Sequence, residues 1–221
     1  ERGGSRYYIM KAVEASLRRL QTDYIDLYQM HVPDPTTPIE ETLRALDDLV
    51  RSGKVRYIGC SNYAAWQLCE ALWTSRVNSL NSFVTVQPQY NLLDRRVERE
   101  LVPCCGAYNI GVIPWGPLAS GFLTGKYRRG EAVPEGTRLS TRPAMQERML
   151  TEANFATLAK LETFATERGH NVLELAIAWL LSRPYVSSVI AGATKPEQVS
   201  ANVGAAAWKL TPEEAAEVDK M

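Results

Sequence analysis

The chain has 221 residues, with 25 basic and 25 acidic side chains and two histidines, so its formal net charge is zero. That balance argues against a general nucleic-acid binder, which carries a clear basic excess. A composition of 45% hydrophobic and 23% charged residues excludes a disordered or low-complexity chain.

In chain order, Glu1-Arg2-Gly3-Gly4 is not a signal peptide and the chain does not begin with Met, so it reads either as cleaved or as starting partway through a longer protein. Ser5 is expected to cap a helix whose face is Ile9, Val13, Leu17 and Leu20. Tyr24 to Met30 is an apolar run of strand length ending at His31. Thr37, Pro38 and Glu40 read as a capping box opening a helix with Ile39, Leu43, Leu46 and Val50 on one face, stopped at Gly53. Val55 to Cys60 is a strand ending at Ser61-Asn62, followed by a helix over Ala64 to Ser75. Phe83 to Val86 is a strand ending at Gln87, Arg95 to Tyr108 a helix, and Ile110 to Pro114 a strand ending at Trp115-Gly116.

Gly121 to Arg142 is rich in Gly, Arg and Pro and has no period, the character of a lid, a binding loop or a disordered segment. Thr151 to Arg168 is helical. Asn171 and Glu174 box the start of a helix ending near Ser182. Val186 to Ile190 is a strand ending at Ala191-Gly192-Ala193-Thr194. Pro196 opens another helix, and Thr211-Pro212-Glu213-Glu214 caps the last one. The longest apolar stretch, Leu175 to Leu181, is too short to cross a bilayer.

Five strands alternating with helices predict an α/β fold with a parallel, helix-covered sheet. The residues alone leave open a doubly wound sheet or part of a barrel, although no Gly-x-Gly-x-x-Gly follows any strand. Each strand ends in something chemically useful: His31, Ser61-Asn62, Gln87, Trp115-Gly116 and the Gly192–Thr194 turn. Ligands bind at that rim in parallel α/β folds. Lys195 and the following helix start add a cation and backbone N–H groups for an anion.

Each member also has a plainer reading. His31 can be a hydrogen-bonded strand end, Trp115 a core residue, Ser61-Asn62 a helix cap, and Thr194-Lys195 a solvated helix start. Gln87 signals nothing alone, and His170 is given no role. Cys60, Cys69, Cys104 and Cys105 form no Cys-x-x-Cys pair and read as reduced packing thiols of a cytosolic protein. Two histidines do not make a histidine-rich metal site.

Taken together, the segments Leu20–His31, Thr37–Thr42, Gly53–Asn62, Gln87–Asn91, Pro114–Gly121 and Gly192–Gln198 resemble the aldo-keto reductases, in family order and over essentially the whole chain. They are closest to the branch of bacterial general reductases and potassium-channel β subunits. The resemblance implies a (β/α)8 TIM barrel, here incomplete: strands four to eight with their helices, one N-terminally truncated NADP-dependent oxidoreductase domain over 1–221.

It implies NADPH rather than NADH as cofactor, with Ser61, Asn62 and Gln87 on the nicotinamide carboxamide and Trp115 stacked on the ring. Gly116, Pro117, Leu118, Ala119, Ser120 and Lys126 would line the pyrophosphate, and Arg138 the loop folding over the cofactor. Gly192, Thr194, Gln198 and Asn202 would surround the 2′-phosphate and adenine, with Lys195 an added phosphate contact on charge grounds. Ala201 replaces the family's acidic adenine contact.

His31 matches the catalytic histidine. The family's Tyr, Lys and Asp have no counterpart in a matching context here. The implied activity is reduction of a small-molecule aldehyde or ketone in the cytoplasm, without nucleic-acid or membrane partners. The alternatives are an NADPH-binding regulatory subunit and an inactive truncated pseudoenzyme.

Overall fold

A computed structural model describes residues 3–221. The chain divides into two compact units, one built from Glu1–Pro88 and Val97–Ile113, the other from Gln89–Arg96 and Pro114–Met221.

The first unit holds a four-stranded parallel sheet in sequential order, β1 (Ile25–Met30), β2 (Val55–Ser61), β3 (Phe83–Gln87) and β4 (Gly111–Val112). Helices α1 (Arg6–Leu20), α2 (Ile39–Arg51), α3 (Ala65–Val77) and α4 (Leu101–Tyr108) connect and cover it. Parallel strands need such crossovers, and a helix supplies each one. Ser5 caps α1 as expected, accepting from the Tyr8 N–H at 3.4 Å. Ile9, Val13 and Leu17 are buried, but Leu20, the last residue of α1, is exposed. On α2, Leu43, Leu46 and Leu49 are fully buried, each contributing about 1.5–3 kcal/mol relative to exposure. The chain leaves α2 through Gly53 at φ +77°, a left-handed conformation that favours glycine.

Two local expectations fail here for physical reasons. The Thr37–Glu40 capping box does not form, and α2 has no side-chain cap. The Thr37 hydroxyl donates instead to the Asp34 carboxylate at 2.8 Å, a charged and therefore stronger acceptor, while Glu40 pairs with Arg44 at 2.7 Å. The helix expected over 95–108 is split into a 3₁₀ turn, Arg96–Glu98, and α4. Pro103 would break a continuous helix, so the helix restarts at Leu101 and the proline falls in its first turn.

In the second unit, α5 (Pro143–Met149), α6 (Glu152–Thr166), α7 (Val172–Leu181), α8 (Pro196–Gly204) and α9 (Pro212–Val218) follow a 3₁₀ segment, Ala119–Thr124. The capping boxes at Asn171/Glu174 and Thr211/Glu214 both form. Helix α7 is buried almost all round. Its Trp179 indole N–H donates to Asp219 at 2.9 Å, and Asp219 also pairs with Arg183 and Arg95. Burial pushes the Asp219 carboxyl up, but hydrogen bonds from Arg183 and Trp179 and the Arg183 and Arg95 charges outweigh it, so its pKa is lowered.

The strand expected over 186–190 does not form. Only an isolated parallel bridge joins Ile190 to Trp115, with the Ile190 N–H on the Pro114 carbonyl at 2.9 Å. Pro114 has no N–H to give back, so the ladder cannot propagate through it. The loop at 121–142 is held by fully buried Leu123 and Leu139 and by Tyr127, also buried. No described helix is long and apolar enough to cross a membrane.

Candidate functional site

In the first unit, successive side chains of a strand point to opposite faces. Met30 reaches back toward Gly4, and Tyr28 lies near Tyr8 and Arg19 of α1, so these two face the helices. The alternate positions, Gln29 then His31, lie on the other face. There the C-terminal edges of β1, β2 and β3 bring His31, Ser61, Asn62 and Gln87 together. The Ser61 hydroxyl and the Asn62 backbone N–H both donate to the Gln87 carbonyl, at 2.8 and 3.1 Å. The Asn62 carboxamide nitrogen donates to the His31 carbonyl at 3.0 Å and lies 3.0 Å from Ser61 Oγ.

The helix-cap reading of Ser61-Asn62 therefore fails: Ala64 holds that position, and its N–H is met by Gln67 at 2.9 Å. Asn62 sits at φ +60°, where few residues other than Gly, Asn and Asp are comfortable. His31 is exposed, so its imidazole can meet a ligand.

The loop after His31 is fixed by Asp34, a residue with no signal of its own in the sequence. Its carboxylate accepts from the Gly4 N–H at 2.7 Å and from the Thr36 and Thr37 hydroxyls and the Thr36 N–H. These donors, the Gly4 N–H first, hold its pKa well below the usual carboxylate range. Burial drives Cys105 the other way, pushing its thiol up to about 12 and leaving it unreactive. Cys60 is shifted upward by burial too, and both are core residues.

In the second unit, the Trp115 backbone is pinned on two sides, by bridges to Gln89 and Ile190, and its side chain is half-buried. Gly116 follows at φ +69°, and its carbonyl accepts from the Asn91 carboxamide at 2.9 Å. Asn91 also accepts from the Leu93 and Asp94 N–H groups. The sequence singles out no role for it, but its reach to Gly116 makes it a positioning residue for the turn carrying Pro117 and Leu118.

Ala119, Ser120 and Gly121 then have φ of +46°, +60° and +89°. Two non-glycine residues held there cost of order 1–3 kcal/mol each. The turn is closed by its own backbone, with the Ala119 N–H on the Gly116 carbonyl at 3.0 Å and the Gly121 N–H on the Leu118 carbonyl at 2.7 Å. Lys126 lies against it: a Cβ added at Gly121 would meet its Nζ at 2.7 Å. Arg138 Nη2 lies 3.9 Å from the Cβ position of Gly192.

Thr194 does not cap α8. Its N–H and hydroxyl both donate to the Gln198 side-chain oxygen, at 2.7 and 3.2 Å, tying the turn to the helix. Lys195 is exposed at the helix start. A cavity of about 300 Å³ beside this turn is lined by Ala191, Ala193, Val199 and Asn202 among others. A second cavity, about 310 Å³ between Trp73 and Tyr108 in the first unit, contains none of the expected site residues.

His170, given no role from sequence, stacks on Trp208 at 4.0 Å and meets Glu174 at 3.2 Å. It is a packing residue. Among the described residues no cluster of three or more His, Cys, Asp or Glu side chains can hold a metal.

The model of the aldo/keto reductase family matches residues 1–221. A probable voltage-gated potassium channel subunit beta of Oryza sativa subsp. japonica is 40% identical over 208 residues, 93% of this chain and 63% of the relative. An L-glyceraldehyde 3-phosphate reductase of Escherichia coli O157:H7 is 37% identical over 227 residues, 99% and 64% of the two chains. The solved glycerol dehydrogenase of Gluconobacter oxydans superposes with a TM-score of 0.83 at 34% identity, over 100% of this chain and 65% of that one. The chain thus spans just under two thirds of each of these proteins.

Proposed function

Since the chain belongs to the aldo/keto reductase family, we propose that it is the cofactor-holding portion of an NADPH-dependent reductase of aldehydes or ketones. In this reading β1–β4 are strands four to seven of an eight-stranded barrel, with the Ile190 bridge in the place of the eighth, within a single oxidoreductase domain. The observation that carries the proposal is the edge where His31, Ser61, Asn62 and Gln87 converge, three of them joined through the Gln87 carbonyl.

The residues suit the cofactor. NADPH, when bound, supplies the hydride. Asn62 and Gln87 offer carboxamides to an amide, and Trp115 offers an aromatic face to a planar ring. The Lys126 cation beside Gly121 suits a pyrophosphate. Arg138, Thr194 and Lys195 suit a further phosphate, and the apolar cavity at Asn202 suits a purine. His31 donates a hydrogen bond to the substrate carbonyl oxygen and stabilises the charge that develops there.

The family's proton donor, its paired Lys and its Asp have no match in this sequence. General acid catalysis contributes about 10²–10⁴-fold. The 221-residue chain should therefore oxidise NADPH with 4-nitrobenzaldehyde at least about 100-fold more slowly than an intact reductase. Comparable turnover, abolished by His31→Ala, would overturn this.

A regulatory reading draws on the rice relative, whose name is that of a probable channel subunit. His31 favours the enzyme, because cofactor binding alone does not need an imidazole there. Co-purification with a membrane channel would favour the regulatory reading. Cytoplasmic location is part of the proposal.

A further inference from the structure

One strand position beneath the nicotinamide end of the proposed site, the first unit contains a second polar layer that the cofactor reading does not use. Gln29, Gly59 and Thr85 are direct neighbours in register across β1, β2 and β3. They lie two residues before His31, Ser61 and Gln87, hence on the same face and about 7 Å lower along the strands. Gln29 Oε1 and Thr85 Oγ1 are both fully buried, and neither has a hydrogen-bond partner.

Both oxygens converge on Gly59. The position a Cβ would take there lies 2.4 Å from Thr85 Oγ1, 3.1 Å from the Thr85 carbonyl and 3.2 Å from Gln29 Oε1. The glycine thus lets side chains from β1 and β3 lean across β2 toward each other. Buried oxygens without a donor cost free energy, and native proteins rarely keep two side by side. A buried water needs two to four polar partners, and Gln29 Oε1 and Thr85 Oγ1 supply two of them.

We propose that Gln29 and Thr85 hold one buried water across Gly59, and that this bridged layer is the floor that positions His31 and Gln87. Gln29 Oε1 accepts a hydrogen bond from one O–H of the water, and Thr85 Oγ1 either accepts from the other O–H or donates its own to the water oxygen. Gln29 and Thr85 are positioning residues, because they act through the groups above them. The positional part rests on the cofactor reading, whereas the bridge does not.

The test uses the 221-residue chain with Thr85→Val, Thr85→Ser, Gln29→Met and the Gln29→Met/Thr85→Val pair. Melting temperature and NADPH affinity, followed by tryptophan fluorescence, are measured for each. If the oxygens were simply unpaired, exchange for an apolar side chain of similar shape would be neutral or stabilising. The bridge predicts the opposite sign: Thr85→Val lowers the melting temperature by about 2–4 °C or more. The double variant loses little beyond the worse single one, because both changes break the same bridge. Thr85→Ser keeps the hydroxyl and recovers most of the stability. NADPH affinity is expected to fall about fivefold or more in Thr85→Val and to return in Thr85→Ser.

Additive effects, or a melting temperature that rises or holds in both single variants, overturn the bridge. Lost stability with unchanged NADPH affinity overturns the positioning role. If the unaltered chain binds no NADPH, the cofactor reading fails on its own, and the melting cycle still decides the bridge.

Discussion

Asn62→Ala is expected to lower NADPH affinity at least tenfold and to destabilise the chain more than any neighbouring surface change. Two effects combine. The Asn62 carboxamide ties the end of β1, at the His31 carbonyl, to the end of β2, at Ser61 Oγ. Each such hydrogen bond contributes about 1 kcal/mol. The residue also sits at φ +60°, where an ordinary L-residue costs roughly 1–2 kcal/mol and Asn much less.

Two further variants separate these effects. Asn62→Gly relieves the backbone but removes the bonds, and Asn62→Asp tolerates the backbone but removes the amide donor. All three should lose NADPH affinity, a tenfold loss corresponding to about 1.4 kcal/mol, while Ala should melt lowest. Thermal melts and fluorescence titrations check both orders. Full affinity in Asn62→Gly would show that the carboxamide holds no cofactor.

Neutralising the two cations is expected to produce different patterns. Arg138 approaches Gly192, and Lys126 approaches Gly121. In the proposed reading the first meets the phosphate that distinguishes NADPH from NADH, and the second meets the pyrophosphate common to both. A hydrogen bond to a charged group contributes about 1.5–3 kcal/mol, so each replacement by Ala should weaken NADPH binding by roughly 10- to 100-fold. Arg138→Ala should erode the preference for NADPH over NADH, whereas Lys126→Ala should weaken both alike. Both effects should shrink at high salt, because the side chains are exposed. Equal effects of Arg138→Ala on the two dinucleotides would remove it from the 2′-phosphate.

The sequence was most informative where the determining interaction is local. The caps at Ser5, Asn171 and Thr211 lie within three residues of their partners, and the structure forms all three. The Thr37 box does not form, because its competitor, the Asp34 carboxylate, is set by the loop's shape rather than by a helix pattern. Apolar content alone did not make a strand of 186–190, since strand formation also needs a partner with N–H groups to give.

The strand-end rule picks out His31, Ser61, Asn62 and Gln87, which the structure gathers at one sheet edge, because a residue closing an apolar run is visible in one dimension. It missed Asn91, whose partner carbonyl lies 25 residues away. The Gln29–Gly59–Thr85 layer was equally hidden, since it exists only through the register of three strands.

The most direct test of the account is a titration of the unaltered 221-residue chain with NADPH, following tryptophan emission and its transfer to the reduced nicotinamide. The account predicts a saturable signal with a dissociation constant between about 1 μM and 1 mM, the range in which enzymes usually bind substrates. Trp115→Leu should greatly diminish it while leaving the melting transition cooperative. No saturable change up to about 1 mM NADPH, in a chain that melts cooperatively, would contradict the claim that these residues hold the cofactor.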